Sequence, residues 1–184
     1  YIQYFKWISG ILLHGDFGIS FELGKPVTEL IWSRLGFSLM LSLLTLCFVW
    51  AVAIPIGILS AVRQYSIADY TATFLAFFFL AVPDFLMALS AMYVMSVWFG
   101  QSVGGLFSAE YVDAGWSFGK FLDLANHVWL PVIVIGLGSL AALVRIMRAN
   151  LLDELSKPYV TTARAKGMPE FELLLRYPVR LALN

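Results

Sequence analysis

The chain has 184 residues, of which 60% are hydrophobic and only 13% are charged, and its mean hydropathy is +0.82. Such values lie outside the range of ordinary soluble domains and predict a membrane protein. Twelve basic and twelve acidic side chains give a formal net charge of zero, so no overall positive field favours binding of nucleic acid. The single cysteine, Cys47, excludes an intramolecular disulfide.

Residues 1–35 form a predicted external amphipathic segment. Apolar side chains recur there at helical spacing until Gly15-Asp16 interrupts the pattern: Tyr4, Trp7, Ile8, Ile11 and Leu12. A helix of this kind could lie in the membrane interface with its aromatic rings at the level of the headgroups. It could equally pack against a helix bundle, and the sequence leaves both interpretations open.

Three apolar runs, at residues 36–62, 71–99 and 128–147, are long enough to cross a bilayer. The first run contains no charged residue, and a helix of that length exceeds a hydrocarbon core of about 30 Å. The second run is interrupted only by Pro83-Asp84, and the third carries its first charge at Arg145. The predicted fold class is therefore all-α, a polytopic transmembrane helix bundle. No repeat or linker is visible, so the chain is predicted to be a single domain.

Basic residues are concentrated after the third predicted span. Seven cations follow its start: Arg145, Arg148, Lys157, Arg164, Lys166, Arg176 and Arg180. The loop at residues 100–127 has one cation, Lys120, and three acidic residues. By the positive-inside rule the C-terminal stretch lies in the cytoplasm and the loop lies outside. Arg145 and Arg148 are then interpreted as membrane-edge anchors whose charges reach water, with a specific coupling role as the alternative.

The interruption of the second run is a candidate part of a translocation path. An ionised carboxylate near the middle of a span costs roughly 2.5–3.5 kcal/mol on insertion scales, so a lipid-facing Asp84 is disfavoured. Pro83 removes a helix donor and weakens the backbone at the same place. We therefore expect Pro83, Asp84 and Phe85 to line or gate a path. The alternative is an aspartate that is hydrogen-bonded to a neighbouring helix.

Residues 156–180 have the signature of a basic helix-Gly-helix unit. Pro158 suits the first turn of a helix, and Gly167 suits the left-handed position after a helix end. Met168 can cover that end, while Pro169 and Glu170 begin a second helix with an acid in its first turn. Two short helices are predicted to meet at a fixed angle, as expected of a surface that another protein binds.

This unit resembles the coupling loop in the permease subunits of ABC importers, in particular the dipeptide, oligopeptide and nickel branch. The loop in that branch commonly reads Arg-Thr-Ala-Arg-Ala-Lys-Gly, and residues 161–167 here read TTARAKG. Gly15-Asp16-Phe17-Gly18, Pro26-Val27 and the Pro-x-Phe of the second span extend the similarity. Thr161 occupies the position that is acidic in the wider superfamily. Residues 177–180 read YPVR where that superfamily has Ile-x-Leu-Pro.

The resemblance implies a type I ABC importer permease with a cytoplasmic coupling helix, lacking here the first and last spans of the family. It implies a bacterial inner-membrane location, a second homologous permease subunit, two cytoplasmic ATPase subunits and an external substrate-binding protein. ATP would be bound by the partner ATPase, with no cofactor in this chain. The resemblance assigns contact with the ATPase to one continuous stretch: Tyr159, Val160, Thr161, Thr162, Ala163, Arg164, Ala165, Lys166, Gly167, Met168 and Pro169.

No catalytic or metal-binding pattern is visible in the sequence. There is no Gly-x-x-x-x-Gly-Lys-Ser/Thr loop for nucleotide phosphates, and His14 and His127 stand apart without a second ligand at metal-binding spacing. The expected function is therefore transport without an enzymatic site. A secondary transporter or a membrane scaffold whose basic loop binds anionic lipid is the alternative. The break at Gly167 disfavours it, because a lipid-binding patch needs no fixed angle between helices.

Overall fold

A computed structural model of the chain describes residues 1–100 and 105–183. Within these ranges the chain is helical, with one isolated bridge between Ile19 and Pro26 and no strand, which confirms the predicted all-α class. The described part contains the following helices: α1 (Ile2–His14), α2 (Val27–Val62), α3 (Ile67–Ala81), α4 (Asp84–Phe99), α5 (Phe118–Leu155), α6 (Pro158–Ala165), α7 (Glu170–Arg176) and α8 (Pro178–Ala182).

The chain divides into two compact units, and the first comprises Tyr1–Leu43. Helix α1 ends at Gly15, whose left-handed backbone (φ 64°) closes the helix as the sequence predicts. Asp16 accepts a hydrogen bond from the backbone N–H of Gly18 at 2.9 Å, which begins the turn that leads to α2. Helix α2 starts at Val27, so the helical segment begins well before residue 36.

The second unit comprises Leu44–Asn184, and α5 is its central helix, in contact with α3, α4 and α8. The C-terminal part of α2 approaches α5 closely at two glycines. A Cβ added at Gly57 would lie 2.7 Å from the Cβ of Met147, and one added at Gly136 would lie 3.0 Å from the ring of Phe48. Small residues on facing helices permit this proximity of the two backbones.

The second apolar run is not one straight helix. Helices α3 and α4 meet at an angle of 101° across Val82 and Pro83, which both have extended backbone conformations. Proline lacks the N–H that would continue α3 and disfavours helical geometry at the residue before it, so the helix ends there. The run predicted as a span over residues 71–99 thus forms two helices joined at a sharp bend, and the bent pair is a candidate span.

Within residues 1–100 and 105–183, the helices α2 and α5 are long and apolar enough to cross a membrane, and the bent pair of α3 and α4 adds a third candidate. Most of their apolar side chains are not buried within this chain. In the most apolar 18-residue stretch of each helix, 11% of the residues are buried in α2 and 33% in α5. A lipid environment removes the need to bury these side chains in protein. The chain is therefore a membrane protein.

Candidate functional site

The junction between α5 and α6 is fixed by a small polar cluster. Pro158 occupies the first turn of α6, as predicted, and Lys157 is the residue that precedes it. Glu154 accepts hydrogen bonds from the ammonium of Lys157 and from the hydroxyl of Tyr159, the latter at 2.7 Å. Burial, and secondarily this bond to Glu154, raises the pKa of Tyr159 to about 12, and Glu154 also raises the pKa of Lys157. The direction in which α6 leaves α5 is therefore held by side chains.

The end of α6 confirms the predicted glycine break. Gly167 has a left-handed backbone with φ 78°. Its N–H donates to the carbonyl of Arg164 at 2.9 Å, and the N–H of Met168 donates to that of Ala163 at 3.2 Å. These two bonds form a Schellman motif, which satisfies carbonyls that would otherwise lack donors at the helix end. The backbone therefore leaves α6 in a defined direction.

Helix α7 begins directly after this break, and an ion pair joins it to α6. Pro169 caps α7, with Glu170 and Glu172 in its first turn. The guanidinium of Arg164 donates two hydrogen bonds to the carboxylate of Glu170, at 2.6 and 3.2 Å. Glu170 thereby raises the pKa of Arg164. Because both side chains are about half exposed, this pair contributes to the orientation of the two helices more than to stability.

The structure separates the predicted coupling residues into exposed and inward-facing positions. The exposed ones form the outer surface of the unit: Thr161, Thr162, Arg164, Ala165, Lys166, Gly167 and Pro169, with Tyr159, Ala163 and Met168 half-buried. Val160 is fully buried, as is Leu173 in α7. Val160 therefore lies beneath the exposed members of the stretch, with its side chain facing the interior.

A shallow groove of about 460 Å³ lies beside α6 and reaches α8. Its lining is mostly apolar, with one cation at Lys166: Tyr159, Thr162, Ala163, Lys166, Met168, Tyr177 and Leu181. The rings of Tyr159 and Tyr177 lie with centroids 6.4 Å apart across it. An open apolar surface with a cationic edge is suited to contact with a protein.

Helix α8 attaches this unit to the long helices. Val179 and Ala182 pack in a buried hydrophobic cluster with Ala61 of α2 and with Met147 and Leu151 of α5. The side-chain amide of Asn150 also donates to the carbonyl of Ala182 at 3.1 Å. Helix α8 is therefore in direct contact with the C-terminal parts of α2 and α5.

Pro83, Asp84 and Phe85 lie at the bend between α3 and α4, and all three are exposed within this chain. Asp84 is in the first turn of α4, where a carboxylate is favoured by the helix dipole. One of its oxygens lies 3.3 Å from the position of a Cβ added at Gly138 of α5. The bend is therefore directly adjacent to the central helix.

An ion pair that was not predicted from the sequence joins α3 to α5. Arg148, interpreted from the sequence as a membrane-edge anchor, donates two hydrogen bonds to Asp69, which is 3% exposed. Arg145 has a different environment: its guanidinium lies 4.9 Å above the ring of Phe77. A local signal existed in Ser66-x-x-Asp69, a helix-capping pattern, but it does not identify a partner 79 residues away.

Metal ligation has no support in the part of the chain that the structure describes. That part contains no group of three or more His, Cys, Asp or Glu side chains placed to hold a metal ion. His127 lies beside Asp123, with its Nδ1 2.7 Å from the backbone carbonyl of that residue. The candidate functional site is the α6-Gly167-α7 unit, because its helix break and its Arg164–Glu170 pair fix its geometry.

Comparison with known proteins identifies the family of this chain. Residues 53–184 match the family model described as binding-protein-dependent transport system inner membrane component. The chain is 38% identical, over its whole length, to the oligopeptide transport system permease protein AppB of Bacillus subtilis (strain 168), of which it covers 56%. It is 34% identical, over 98% of its length, to the dipeptide transport system permease protein DppB of Escherichia coli (strain K12), of which it covers 58%. The chain thus spans little more than half the length of these relatives, and it belongs to the family of binding-protein-dependent transport system inner membrane components.

Proposed function

We propose that this chain is part of the permease subunit of an ATP-driven importer in a bacterial inner membrane, which it crosses several times. It forms half of a translocation path for peptides or similar small solutes. Membership of the family supports the general role. The names of AppB and DppB, an oligopeptide and a dipeptide permease, support the class of solute.

One observation carries this proposal: the α6-Gly167-α7 unit is an exposed pair of helices with a fixed internal geometry. The Schellman motif at Gly167 and the Arg164–Glu170 pair set the angle within the unit. Buried Val160 and Leu173 anchor it from beneath. A lipid-binding loop needs no fixed angle between helices, whereas a surface that transmits a displacement to the bundle needs a defined geometry.

The proposed partners are a second homologous permease subunit, two cytoplasmic ATPase subunits and an external substrate-binding protein. ATP is bound and hydrolysed by the ATPases, and this chain contributes no ATPase site. The groove beside α6, together with exposed Lys166, offers apolar and cationic contacts to an ATPase surface. The contact residues are the exposed and half-buried members of the stretch from Tyr159 to Pro169.

Closure of the ATPases would displace α6 and α7, and α8 would pass that displacement to α2 and α5. Packed helices have a few discrete arrangements and do not deform continuously, so such a displacement moves the bundle between two states. The bend at Pro83, next to Gly138 of α5, is the place where this motion alters the path. The chain itself performs no covalent chemistry in this mechanism.

Co-purification with the ATPase tests the proposal. The complete permease is expressed with its ATPase and solubilised, and the amount of retained ATPase is measured with and without a non-hydrolysable ATP analogue. We expect stable retention that depends on residues of α6. Retention that does not change when α6 is altered, together with binding to anionic vesicles through the same residues, would assign the chain to a lipid-anchored scaffold or secondary transporter.

A further inference from the structure

The pair between Asp69 and Arg148 has the geometry of a specific joint. Nε of Arg148 donates to one carboxylate oxygen of Asp69 at 2.7 Å, and Nη2 donates to the other at 2.9 Å. This two-bond arrangement fixes orientation as well as distance. Asp69 is 3% exposed, whereas 27% of the Arg148 side chain is exposed.

Asp69 is also bonded to the C-terminal end of α2 and to the turn that follows it. The hydroxyl of Ser60 donates to one oxygen of Asp69. The N–H of Tyr65, whose backbone is left-handed (φ 62°), donates to the other at 3.0 Å. A single carboxylate therefore connects α2, the α2–α3 turn, α3 and α5.

This joint is adjacent to the core that receives α8. Ser60 precedes Ala61, and Arg148 follows Met147, and both of these apolar residues pack with Val179 of α8. The hydrophobic cluster links the short cytoplasmic helices to α2 and α5 but contains no residue of α3. Asp69 supplies a polar link from the same end of those helices to α3.

Stability alone is a weak explanation for such a pair. Desolvation of two charges can exceed their mutual attraction, so a buried ion pair commonly adds little net stability compared with apolar packing. What it does provide is a directional constraint. Here the constrained element is α3, and α3 ends at the 101° bend that places Pro83 and Asp84 beside α5.

We propose that the Asp69–Arg148 pair is a positioning clamp that makes α3 move together with α5 when the α6-Gly167-α7 unit is displaced. With the clamp intact, movement of α6–α8 reaches the bend at Pro83 through α3. Without it, α5 still follows the ATPases while α3 lags behind. ATP is then hydrolysed without the matching movement of the path. This inference rests on the proposed function.

The test uses the complete transporter, with its second permease, ATPases and binding protein, in sealed vesicles. ATP hydrolysis and import of radiolabelled trialanine are measured, each normalised to assembled transporter. We expect Asp69→Asn and Arg148→Lys to increase the ATP hydrolysed per peptide about fivefold or more, a size typical of lost coupling between sites. Tyr70→Phe, which alters the exposed side chain next to Asp69 in α3, is the matched control and is expected to leave the ratio unchanged.

A second measurement reports the movement itself. Spin labels at Phe74→Cys in α3 and Ile135→Cys in α5, in a Cys47→Ser background, give the distance between exposed positions on the two helices that the pair joins. An intact clamp predicts the same narrow distance distribution with and without a non-hydrolysable ATP analogue. Asp69→Asn should leave the nucleotide-free distribution narrow and broaden or shift the nucleotide-bound one. A residue that only maintains the fold would change both states alike.

The outcomes separate this inference from the proposed function. An unaltered transporter that neither hydrolyses ATP nor imports peptide contradicts the proposed function. If Asp69→Asn changes neither the ATP hydrolysed per imported peptide nor the distances between the spin labels of a coupled transporter, the clamp is contradicted. If Asp69→Asn does not accumulate, the neutral pair Asp69→Asn with Arg148→Gln replaces it, and the ratio should rise because neutral hydrogen bonds are weaker. Failure of that variant to assemble would make the pair a folding element and overturn the proposal.

Discussion

Gly57 of α2 lies against Met147 of α5 so closely that a Cβ on the glycine would stand 2.7 Å from the Cβ of Met147 and 3.1 Å from the carbonyl oxygen of Val144. Real Cβ atoms are essentially never found at the shorter distance, so the two helices must separate to admit one. This contact adjoins the cluster through which α8 reaches both helices. The observed packing of α2 on α5 therefore requires glycine at residue 57.

We expect Gly57→Ala to lower the free energy of unfolding of the complete permease by about 1–3 kcal/mol, because overpacking forces a backbone shift. Thermal unfolding in detergent measures this change. Gly36→Ala, in the same helix but with no atom within 4 Å of the added Cβ, is the matched control. It should be neutral or slightly stabilising, since alanine favours helix over glycine. Equal behaviour of the two variants would contradict the close contact.

A second prediction concerns the break at Gly167, whose φ is 78°. Gly167→Val should abolish solute uptake while the protein remains in the membrane, because a β-branched residue resists the left-handed backbone. Uptake and membrane abundance are measured side by side. Gly167→Asn should retain much of the uptake, since asparagine tolerates this conformation better. Normal uptake by the valine variant at normal abundance would show that the break is dispensable.

The positive charges at Arg164 and Lys166 are predicted to contribute to binding of the ATPase. Lys166 has no ion pair among the described residues, whereas Arg164 is engaged by Glu170. Replacement of both Arg164 and Lys166 by Glu should weaken retention of the ATPase, most strongly at low ionic strength, because interactions between exposed charges are screened beyond about 8–10 Å at physiological salt. Pull-down of the ATPase over a range of salt concentrations measures this.

Glu170→Gln is the control for the charge variant. It removes the internal pair of Arg164 without reversing any charge on the outer surface. We expect a smaller loss of ATPase retention that depends little on salt. Unchanged pull-down by the double Glu variant would indicate that the contact is apolar and involves Tyr159, Ala163 and Met168.

The phenol of Tyr159 should lose its proton at a higher pH than an ordinary tyrosine. Its pKa is raised from 10.0 to about 12, chiefly by burial and secondarily by the bond to Glu154. A raised pKa means that the folded state favours the neutral phenol. Its stabilising contribution is therefore fully present below pH 10 and is lost as the pH rises through about 12. NMR of tyrosine labelled at Cζ should show one late-titrating resonance that is absent from Tyr159→Phe. A Tyr159 resonance that titrates near pH 10 would contradict the burial of the phenol together with its hydrogen bond to Glu154.

Asp84 remains a predicted path residue. In a Cys47→Ser background, Asp84→Cys should react with a small water-soluble thiol reagent, and the rate should change when ATP is bound. The replacement of Cys47 is needed because that thiol is exposed in this chain. Asp84→Asn separates charge from hydrogen bonding, since the amide keeps most of the bonding capacity. Full transport by Asp84→Asn, together with no labelling of Asp84→Cys in either state, would leave Asp84 a structural residue.

Local rules in the sequence were sufficient to identify the two long apolar helices and the break between α6 and α7. Long uncharged runs identified α2 and α5, because a bilayer imposes a minimum apolar length. Pro158, Gly167 and Pro169 gave the order helix, break, helix, because each restricts or permits particular backbone angles regardless of what surrounds it. The interruption at Pro83 was visible for the same reason, although the size of the bend was not.

Tertiary structure alone decided which side chains meet. Arg148 could be read as a membrane-edge cation from its position, but its partner Asp69 lies 79 residues earlier and is brought to it only by the packing of α3 on α5. Val160 belongs to the basic stretch by sequence, yet it faces inward because α6 lies against the rest of the unit. Hydropathy and backbone preference act over a few residues, whereas burial and ion pairing depend on atoms contributed by distant parts of the chain.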